Sequence, residues 1–274
     1  MNWREYESLV YEECNRVFHH CEILHNIYVD GIFSRRKRQI DIQIRDTDGK
    51  LIIIDAKKYD KKIDVKIVES FIGMVKDVGG DVGIIISEKG FSKTAINRAH
   101  YGEENIEVDI LNLHELSMFQ SIGAIPYSGS CGILAQSPFC WIIDASQREN
   151  MVATMYRRGF TFEEATKSKE WAYINFWEKN CEIESIEDLI TFQNSYLLEK
   201  DNEGIIEEEC SDDIKMRVFK SKYYPCTEIT LFRDFGDFIL FVVLFSPQNL
   251  ISKNTEKMRF FLLNAHPLKV IQPN

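Results

Sequence analysis

The chain has 274 residues and a mass of 32.0 kDa, which exceeds one typical domain and is within the range of two. Apolar residues make up 45% and charged residues 28% of the chain, so the composition predicts a packed core and excludes a largely disordered protein. The formal net charge is −10, because 43 acidic residues outnumber 33 basic ones, and as a bulk value it argues against a nucleic-acid partner.

The first predicted element is a helix over residues 3–21. Val10, Cys14 and Val17 recur along it at spacings of three and four residues, which is typical of one buried helix face. Glu7 lies three residues before Val10 on the same stripe, so a carboxylate interrupts an otherwise apolar face. A strand is expected to follow, over residues 27–33.

A hairpin is predicted next. Isoleucine alternates with polar residues over 39–45, which indicates a strand with one buried face, and residues 51–57 form the returning strand. The Thr-Asp-Gly sequence at 47–49 suits a three-residue hairpin loop. Counting outward from that loop places Asp41 opposite Asp55.

Two helices and two strands complete the N-terminal part. Asp64 is the predicted N-cap of a helix that runs to about Val78, and Ser92 caps a shorter helix. Residues 82–87 are an uninterrupted apolar run, as in a strand covered on both faces, and residues 106–111 form the last strand. The predicted order is helix, three strands, helix, strand, helix, strand, which is an α/β arrangement.

The sequence divides into a first domain over 1–117, a linker or loop over 118–132, and a second, α+β domain over 133–274. The role of the second domain is open among recognition, oligomerisation and regulation. Its predicted elements are a helix over residues 152–158, a helix that begins at the capping box 161–164 and carries Trp171, Phe176 and Trp177, a solvated loop at Glu207–Glu209, a hairpin over 226–245, and a helix over 254–264.

Four side chains are predicted to converge. Asp55 and Lys57 are two residues apart on one strand and therefore point to the same face, with Asp41 on the neighbouring strand and Glu7 on the helix. Carboxylates crowded in a partly buried site raise one another's pKa values, and a divalent cation relieves their repulsion. Oxygen ligands favour Mg²⁺ or Mn²⁺ over zinc, and a neighbouring lysine can stabilise charge on a phosphate.

The same residues resemble a known group of enzymes. The signature D…(D/E)xK of the PD-(D/E)xK nuclease superfamily is similar to RQIDI at 38–42 followed by IIIDAKKY at 52–59. The chain resembles Mrr-type restriction endonucleases more closely, in the segments YESLV at 6–10 and GIIISEKGFSKTAINRA at 83–99. The resemblance covers residues 3–116 and implies a restriction-endonuclease-like core.

The resemblance also implies roles for the four side chains. Glu7, Asp41 and Asp55 would hold Mg²⁺ or Mn²⁺, and Lys57 would be the catalytic lysine. The sequence departs from the family where Asp55 replaces the frequent Gln or Glu, and where Gln39 precedes Ile40 and Asp41 in place of glycine. Asp55 nevertheless retains a carboxylate at the position where the family often has Gln or Glu.

Basic residues flank the predicted site. Between residues 30 and 66 the basic residues exceed the acidic ones by four, although the whole chain is acidic. Such a cluster suits contacts with DNA phosphates, and a solvated charged loop is the alternative. The predicted DNA-contacting residues are Arg35, Arg36, Lys37, Arg38, Lys58, Lys61, Lys62 and Lys66.

The sequence therefore predicts a metal-dependent endodeoxyribonuclease that acts in restriction or anti-phage defence. The alternatives are a catalytically silent nuclease fold that binds DNA or protein, and an interaction protein that binds no DNA. Cleavage of both strands would favour a homodimer, and the second domain would receive a regulatory ligand or partner.

A cytoplasmic protein without a membrane partner is expected. No apolar run reaches the ~20 residues of a membrane helix, and the charged N-terminus lacks the apolar region of a signal peptide. The seven cysteines are scattered along the chain, which favours reduced thiols.

Overall fold

A computed structural model describes residues 1–46, 49–101, 106–117, 122–126, 131–211, 213–223 and 226–269. The chain divides into two compact units, Met1–Phe119 and Gln120–Asn274, which are called the N-terminal and C-terminal units below. Within the described residues, no helix has both the length and the apolar character that crossing a membrane requires.

The N-terminal unit is a mixed α/β structure. Its elements are α1 (Trp3–Val17), β1 (Glu22–Asp30), β2 (Lys37–Arg45), β3 (Leu51–Lys57), α2 (Val65–Asp77), β4 (Val82–Ser87), α3 (Lys93–His100), β5 (Glu107–Leu111) and α4 (Leu113–Ser117). Up to β5 the elements follow the predicted order.

The described strands of this unit form one sheet in the order β1-β2-β3-β4-β5. The first three strands are antiparallel neighbours, whereas β4 is parallel to β3 and β5 is parallel to β4. Ile42 pairs with Ile54, so the next positions outward are Asp41 and Asp55, as the hairpin count predicts. Thr47 and Asp48 of the predicted loop lie outside the described residues, while Gly49 has the expected positive φ of 82°.

Helix ends in this unit follow the local sequence. The predicted N-caps are confirmed, since the Asp64 side chain accepts hydrogen bonds from two backbone N–H groups of α2 and Ser92 caps α3. Helix α1 ends earlier than predicted, because Phe18 leaves the helical conformation with φ −107° and ψ 39°. Strand β1 consequently starts five residues earlier than predicted, at Glu22.

The core of this unit fixes the central strands rigidly. Every residue of β4 is buried, as expected for a strand covered on both faces. Helix α2 approaches β4 so closely that a Cβ atom at Gly83 would come within 2.6 Å of the Phe71 ring, so this position requires glycine. The site-bearing end of β3 therefore rests on a tightly packed support.

The C-terminal unit is dominated by antiparallel strands. Its elements are β6 (Ile122–Pro126), β7 (Cys131–Gln136), β8 (Trp141–Asp144), β9 (Ala153–Arg157), α5 (Phe162–Ser168), β10 (Trp171–Glu178), α6 (Ile186–Lys200), β11 (Ile205–Ser211), β12 (Ile214–Lys220), β13 (Thr227–Asp234), β14 (Phe238–Ser246), a 3₁₀ turn (Gln248–Leu250), α7 (Ile251–Leu263) and β15 (His266–Lys269).

The described strands of this unit form two sheets. The larger has the order β11-β12-β13-β14-β10-β9-β8, and the smaller has the order β15-β7-β6. One face of the larger sheet forms an apolar core that includes Met258 and Phe261 of α7. The other face packs against Leu189 and Ile190 of α6.

Three predicted segments of the C-terminal half are wrong. The interval 118–132 is predicted as linker or loop, yet it contains β6 and the start of β7; its residues 118–121 and 127–130 lie outside the described chain. Residues 153–157 form strand β9 rather than a helix, because they pair with both β8 and β10. Glu207–Glu209 lie in strand β11, paired with β12, rather than in a solvated loop.

The capping box at Thr161 and Glu164 is confirmed, but the helix it begins ends at Ser168. Lys169 adopts a left-handed conformation with φ 57°, which stops the helix. Trp171, Phe176 and Trp177 therefore lie on strand β10 rather than on a helix. The hairpin of β13 and β14 and the helix α7 occur where the sequence predicts them.

Candidate active site

Asp55 and Lys57 project from the end of β3 toward the same side of the sheet, as their spacing predicts. The Asp55 side chain is buried, and its Oδ1 lies 2.8 Å from the Lys57 Nζ. The backbone of Asp55 and Lys57 is paired with Ile85 and Ser87 of the parallel strand β4, so both side chains start from backbone that is held in the sheet. The ammonium group is thereby held against the carboxylate.

Asp41 joins this pair from the neighbouring strand. Its Oδ2 accepts a hydrogen bond of 3.0 Å from the Ala56 backbone N–H, and its carboxyl group hydrogen-bonds to that of Asp55. The side chain of one strand thus binds the backbone of the next strand between the two residues of the DxK sequence. Asp41, Asp55 and Lys57 form one contiguous group, as the sequence predicts.

Burial raises the pKa of Asp55 to about 7, and the neighbouring Asp41 adds to the rise while Lys57 opposes it. Burial alone would lower the pKa of Lys57, but the carboxylates of Asp55 and Asp41 outweigh it and raise that pKa. Lys57 therefore stays charged near neutral pH, whereas burial and the neighbouring Asp41 favour the protonated form of Asp55. A divalent cation can replace that proton and relieve the repulsion between the crowded carboxyl groups.

Glu7 lies on the buried face of α1 but does not join the aspartates. Its Oε1 is 3.0 Å from the Nε2 of His25 on β1, and the His25 ring stacks on Tyr11 at 4.4 Å between centroids. In the described part of the chain, no group of three or more His, Cys, Asp or Glu side chains is close enough to hold a metal ion. The predicted three-carboxylate set is therefore divided into an Asp41–Asp55 pair and a separate Glu7.

A cavity of about 520 Å³ connects these groups. Glu7, Asp41, Asp55 and Lys57 all line it, so every predicted catalytic side chain reaches the same open space. The donors fit a divalent cation in kind, because the two aspartates are oxygen ligands crowded at one wall and Glu7 adds a third carboxylate to the cavity.

The predicted DNA-contacting residues all lie on the N-terminal unit and differ in their surroundings. Arg38 lines the cavity, and the Lys58 ammonium pairs with Glu88 at 2.7 Å. The other six side chains are exposed: Arg35, Arg36, Lys37, Lys61, Lys62 and Lys66.

Asp77, which the sequence does not single out, anchors the basic loop between β1 and β2. Its Oδ1 accepts hydrogen bonds of 2.9 Å from the backbone N–H groups of Phe33 and Ser34, and its Oδ2 accepts one of 2.5 Å from Arg38. Hydrogen bonds from Ser34, together with those from Arg38 and Phe33, hold the pKa of Asp77 well below its usual range. An acidic residue at the end of α2 thus positions the loop that carries Arg35 to Lys37.

His25 is a second residue of this region that the sequence does not single out. The structure places it on β1 with its ring against Glu7. The usable signal was the alternation along residues 22–30, which places His25 on the same side of β1 as Ile23 and Ile27.

Replacing Asp41 by asparagine should lower the pKa of Asp55 from about 7, because a like charge is removed while the amide oxygen can still accept the Ala56 N–H. The pKa should remain above 4, since burial is the larger cause. Carboxyl ¹³C NMR titration of the metal-free protein measures it. Asp30→Asn, at the far end of β1, is the control and should leave the Asp55 pKa unchanged; an unshifted pKa in Asp41→Asn would contradict the assigned contact.

Comparisons with known proteins give one family match and two weak structural similarities. No curated protein matches the chain. Among solved structures, the chain is similar to CyanoP (PsbP) of Synechocystis sp. PCC 6803, with 9% identity, a TM-score of 0.34, and coverage of 53% of this chain and 95% of that one. It is also similar to a repair endonuclease from Pyrococcus abyssi, with 16% identity, a TM-score of 0.30, and coverage of 41% of this chain and 48% of that one.

Both structural similarities are too weak to carry an argument about function. The family comparison is specific: residues 1–119 match the Mrr_cat family, described as restriction endonuclease. These residues include all four predicted catalytic side chains. The predicted resemblance of the N-terminal region to Mrr-type restriction endonucleases is therefore confirmed over residues 1–119.

Proposed function

We propose that the protein is an endodeoxyribonuclease that hydrolyses DNA phosphodiester bonds with Mg²⁺ or Mn²⁺. The observation that carries the proposal is the carboxyl pair of buried Asp55 and half-buried Asp41, held beside the Lys57 ammonium at the wall of an open cavity. The family match of residues 1–119 supports it. We also propose that the N-terminal unit, with the sheet order β1-β2-β3-β4-β5, has a restriction-endonuclease-like core.

In this proposal Asp41 and Asp55 would hold the cation, and Glu7 would add a third carboxylate in the same cavity. A bound divalent cation supplies an activated water and neutralises charge on the scissile phosphate. Lys57 fixes the orientation of Asp55 through their 2.8 Å contact and presents a positive charge where the pentacovalent phosphorus develops negative charge. Arg38 and the exposed basic side chains hold the flanking phosphates.

Restriction or anti-phage defence is the biological role that the family match favours, with the protein acting in the cytoplasm. Cleavage of both strands would need two such sites, which favours a homodimer. The C-terminal unit would then recognise the target, join subunits or regulate the nuclease.

A second candidate is a silent nuclease fold that binds DNA without cutting it. One observation favours it: Glu7 pairs with His25 rather than with the aspartates. The two candidates make different predictions about cation dependence, because binding through basic residues needs no metal.

The test is cleavage of supercoiled plasmid by the full chain. Nicked or linear DNA should appear with Mg²⁺ or Mn²⁺ and should not appear with EDTA. Salt-dependent binding of the plasmid without cleavage under any of these cations would favour the silent fold. Absence of both binding and cleavage would contradict both candidates.

A further inference from the structure

We propose that the cavity beside the Asp41–Asp55 pair receives an unpaired nucleobase, so that the preferred substrate is DNA with a single-stranded segment next to the cleaved phosphate. This inference rests on the proposed nuclease function and specifies its substrate. It is carried by the side chains of the cavity that phosphodiester hydrolysis itself does not require.

Two large aromatic side chains stand at the rim of the cavity. The side chain of Trp3 is 58% exposed and that of Tyr59 is 41% exposed, and both line the cavity. Trp3 lies one helical turn before Glu7 on α1, and Tyr59 follows Lys57 by two residues. Exposed aromatic rings on either side of a catalytic group are typical of binding surfaces rather than of a fold's core.

Apolar side chains contribute part of the cavity lining. Ile67, Phe71 and Met74 of α2 line it, and their spacing places them on one face of that helix. A sugar-phosphate backbone is polar and charged and gains nothing from this surface. A nucleobase does gain, because every base has an apolar face that can stack on aromatic rings and be desolvated against aliphatic side chains.

The size and charge of the cavity also suit a nucleotide. Its volume of about 520 Å³ falls within the range of pockets that bury small organic ligands. The Arg4 guanidinium lies over the Trp3 ring, 5.1 Å from its centroid, and Arg38 lines the cavity. Positive charge is therefore available for the phosphates while the rings are available for the base.

In duplex DNA the faces of the bases are covered by their stacked neighbours. A base can enter the cavity only if it is unpaired, or if the enzyme pays for unstacking it. Stacking between Trp3 and Tyr59 would be gained without that cost on a single-stranded tail. The geometry therefore favours a tailed duplex over a fully paired one.

The experiment is fluorescence anisotropy of the full chain in EDTA, where no cleavage occurs. Two labelled oligonucleotides are compared: a blunt duplex, and the same duplex with a single-stranded tail. The wild type should bind the tailed form about tenfold more tightly, and Trp3→Ala or Tyr59→Ala should each remove about that factor while leaving duplex binding unchanged. Tyr28→Ala is the matched control, since Tyr28 is 66% exposed on β1 and does not line the cavity.

A second readout reports the contact directly. The chain has four tryptophans, and Trp141, Trp171 and Trp177 all lie in the C-terminal unit. The tailed oligonucleotide should quench wild-type tryptophan fluorescence, and Trp3→Phe should abolish that quenching.

Equal affinity of the wild type for both oligonucleotides, or equal loss on both in Trp3→Ala and Tyr59→Ala, would overturn the inference. Plasmid cleavage decides the nuclease function separately. A wild type that nicks plasmid with Mg²⁺ but shows no tail preference contradicts only the base-binding cavity.

Discussion

Lys57→Ala should cleave plasmid about 10³-fold more slowly than the wild type under saturating Mg²⁺. The substitution removes the ammonium group that contacts Asp55 at 2.8 Å, and with it the charge that faces the developing phosphorane. Loss of one preorganised electrostatic contact at a reacting centre costs on this order. Single-turnover cleavage of supercoiled plasmid measures the rate.

Lys50→Ala is the matched control, because Lys50 directly precedes the same strand at its opposite end. It should cleave at the wild-type rate within a factor of about two. A Lys57→Ala protein that cleaves like Lys50→Ala would contradict the assigned role.

Asp55→Asn separates loss of function from loss of fold. Because burial raises the folded-state pKa of Asp55 from 3.8 to about 7, Asp55 lowers the stability of the metal-free protein as the pH rises through this interval, and the full loss is present above about pH 7. The variant should therefore be inactive and yet melt no lower than the wild type at pH 8. An inactive variant with a sharply lower melting temperature would indicate a structural role instead.

Glu170→Ala should lower the free energy of unfolding of the C-terminal unit by about 3–5 kcal/mol. The Glu170 side chain is fully buried, and its Oε1 lies 2.6 Å from Nη2 of Arg157, whose side chain is also buried. Asn254 donates a hydrogen bond of 3.1 Å to the same oxygen. Truncating Glu170 removes the carboxylate that faces this buried guanidinium, and removing one partner is the costly way to break such a pair.

Urea denaturation followed by tryptophan fluorescence measures this loss, since three of the four tryptophans report on the C-terminal unit. Glu163→Ala is the control, because its ion pair with Lys167 is solvated, with side chains 76% and 73% exposed. That variant should change the free energy of unfolding by about 0.5 kcal/mol or less. Equal midpoints for the two variants would show that the buried pair does not limit the stability of this unit.

The order of helices and strands in the N-terminal unit could be predicted because short-range sequence patterns determine it. Period two over residues 39–45 and the length of the following loop are enough to place Asp41 opposite Asp55. The caps Asp64 and Ser92 are local side-chain contacts and are visible in sequence for the same reason. The contact of Glu7 with His25 is not local, since it depends on how α1 lies against β1.

The C-terminal unit was less predictable because long-range pairing decides its elements. The sequence from Trp171 to Glu178 follows a genuine helix cap, so the helix was extended through it. Buried and half-buried side chains nevertheless alternate along it, and β14 pairs with its whole length. Lys169, which separates α5 from β10, adopts the left-handed conformation. Because this residue is not glycine, the sequence does not indicate that the helix ends there.

The anchoring of the basic loop by Asp77 has a consequence for the ionic atmosphere of bound DNA. Arg38 is ion-paired with Asp77, and Lys58 with Glu88, so two of the eight predicted phosphate-contacting side chains carry a counterion from the protein itself. Each phosphate newly neutralised by a protein cation releases about 0.9 of a condensed counterion. Because Arg38 and Lys58 already have counterions within the protein, they contribute little to this release. Pairing with Asp77 gives the loop a fixed shape but lowers the affinity for DNA at low salt. The binding of DNA is correspondingly less sensitive to salt.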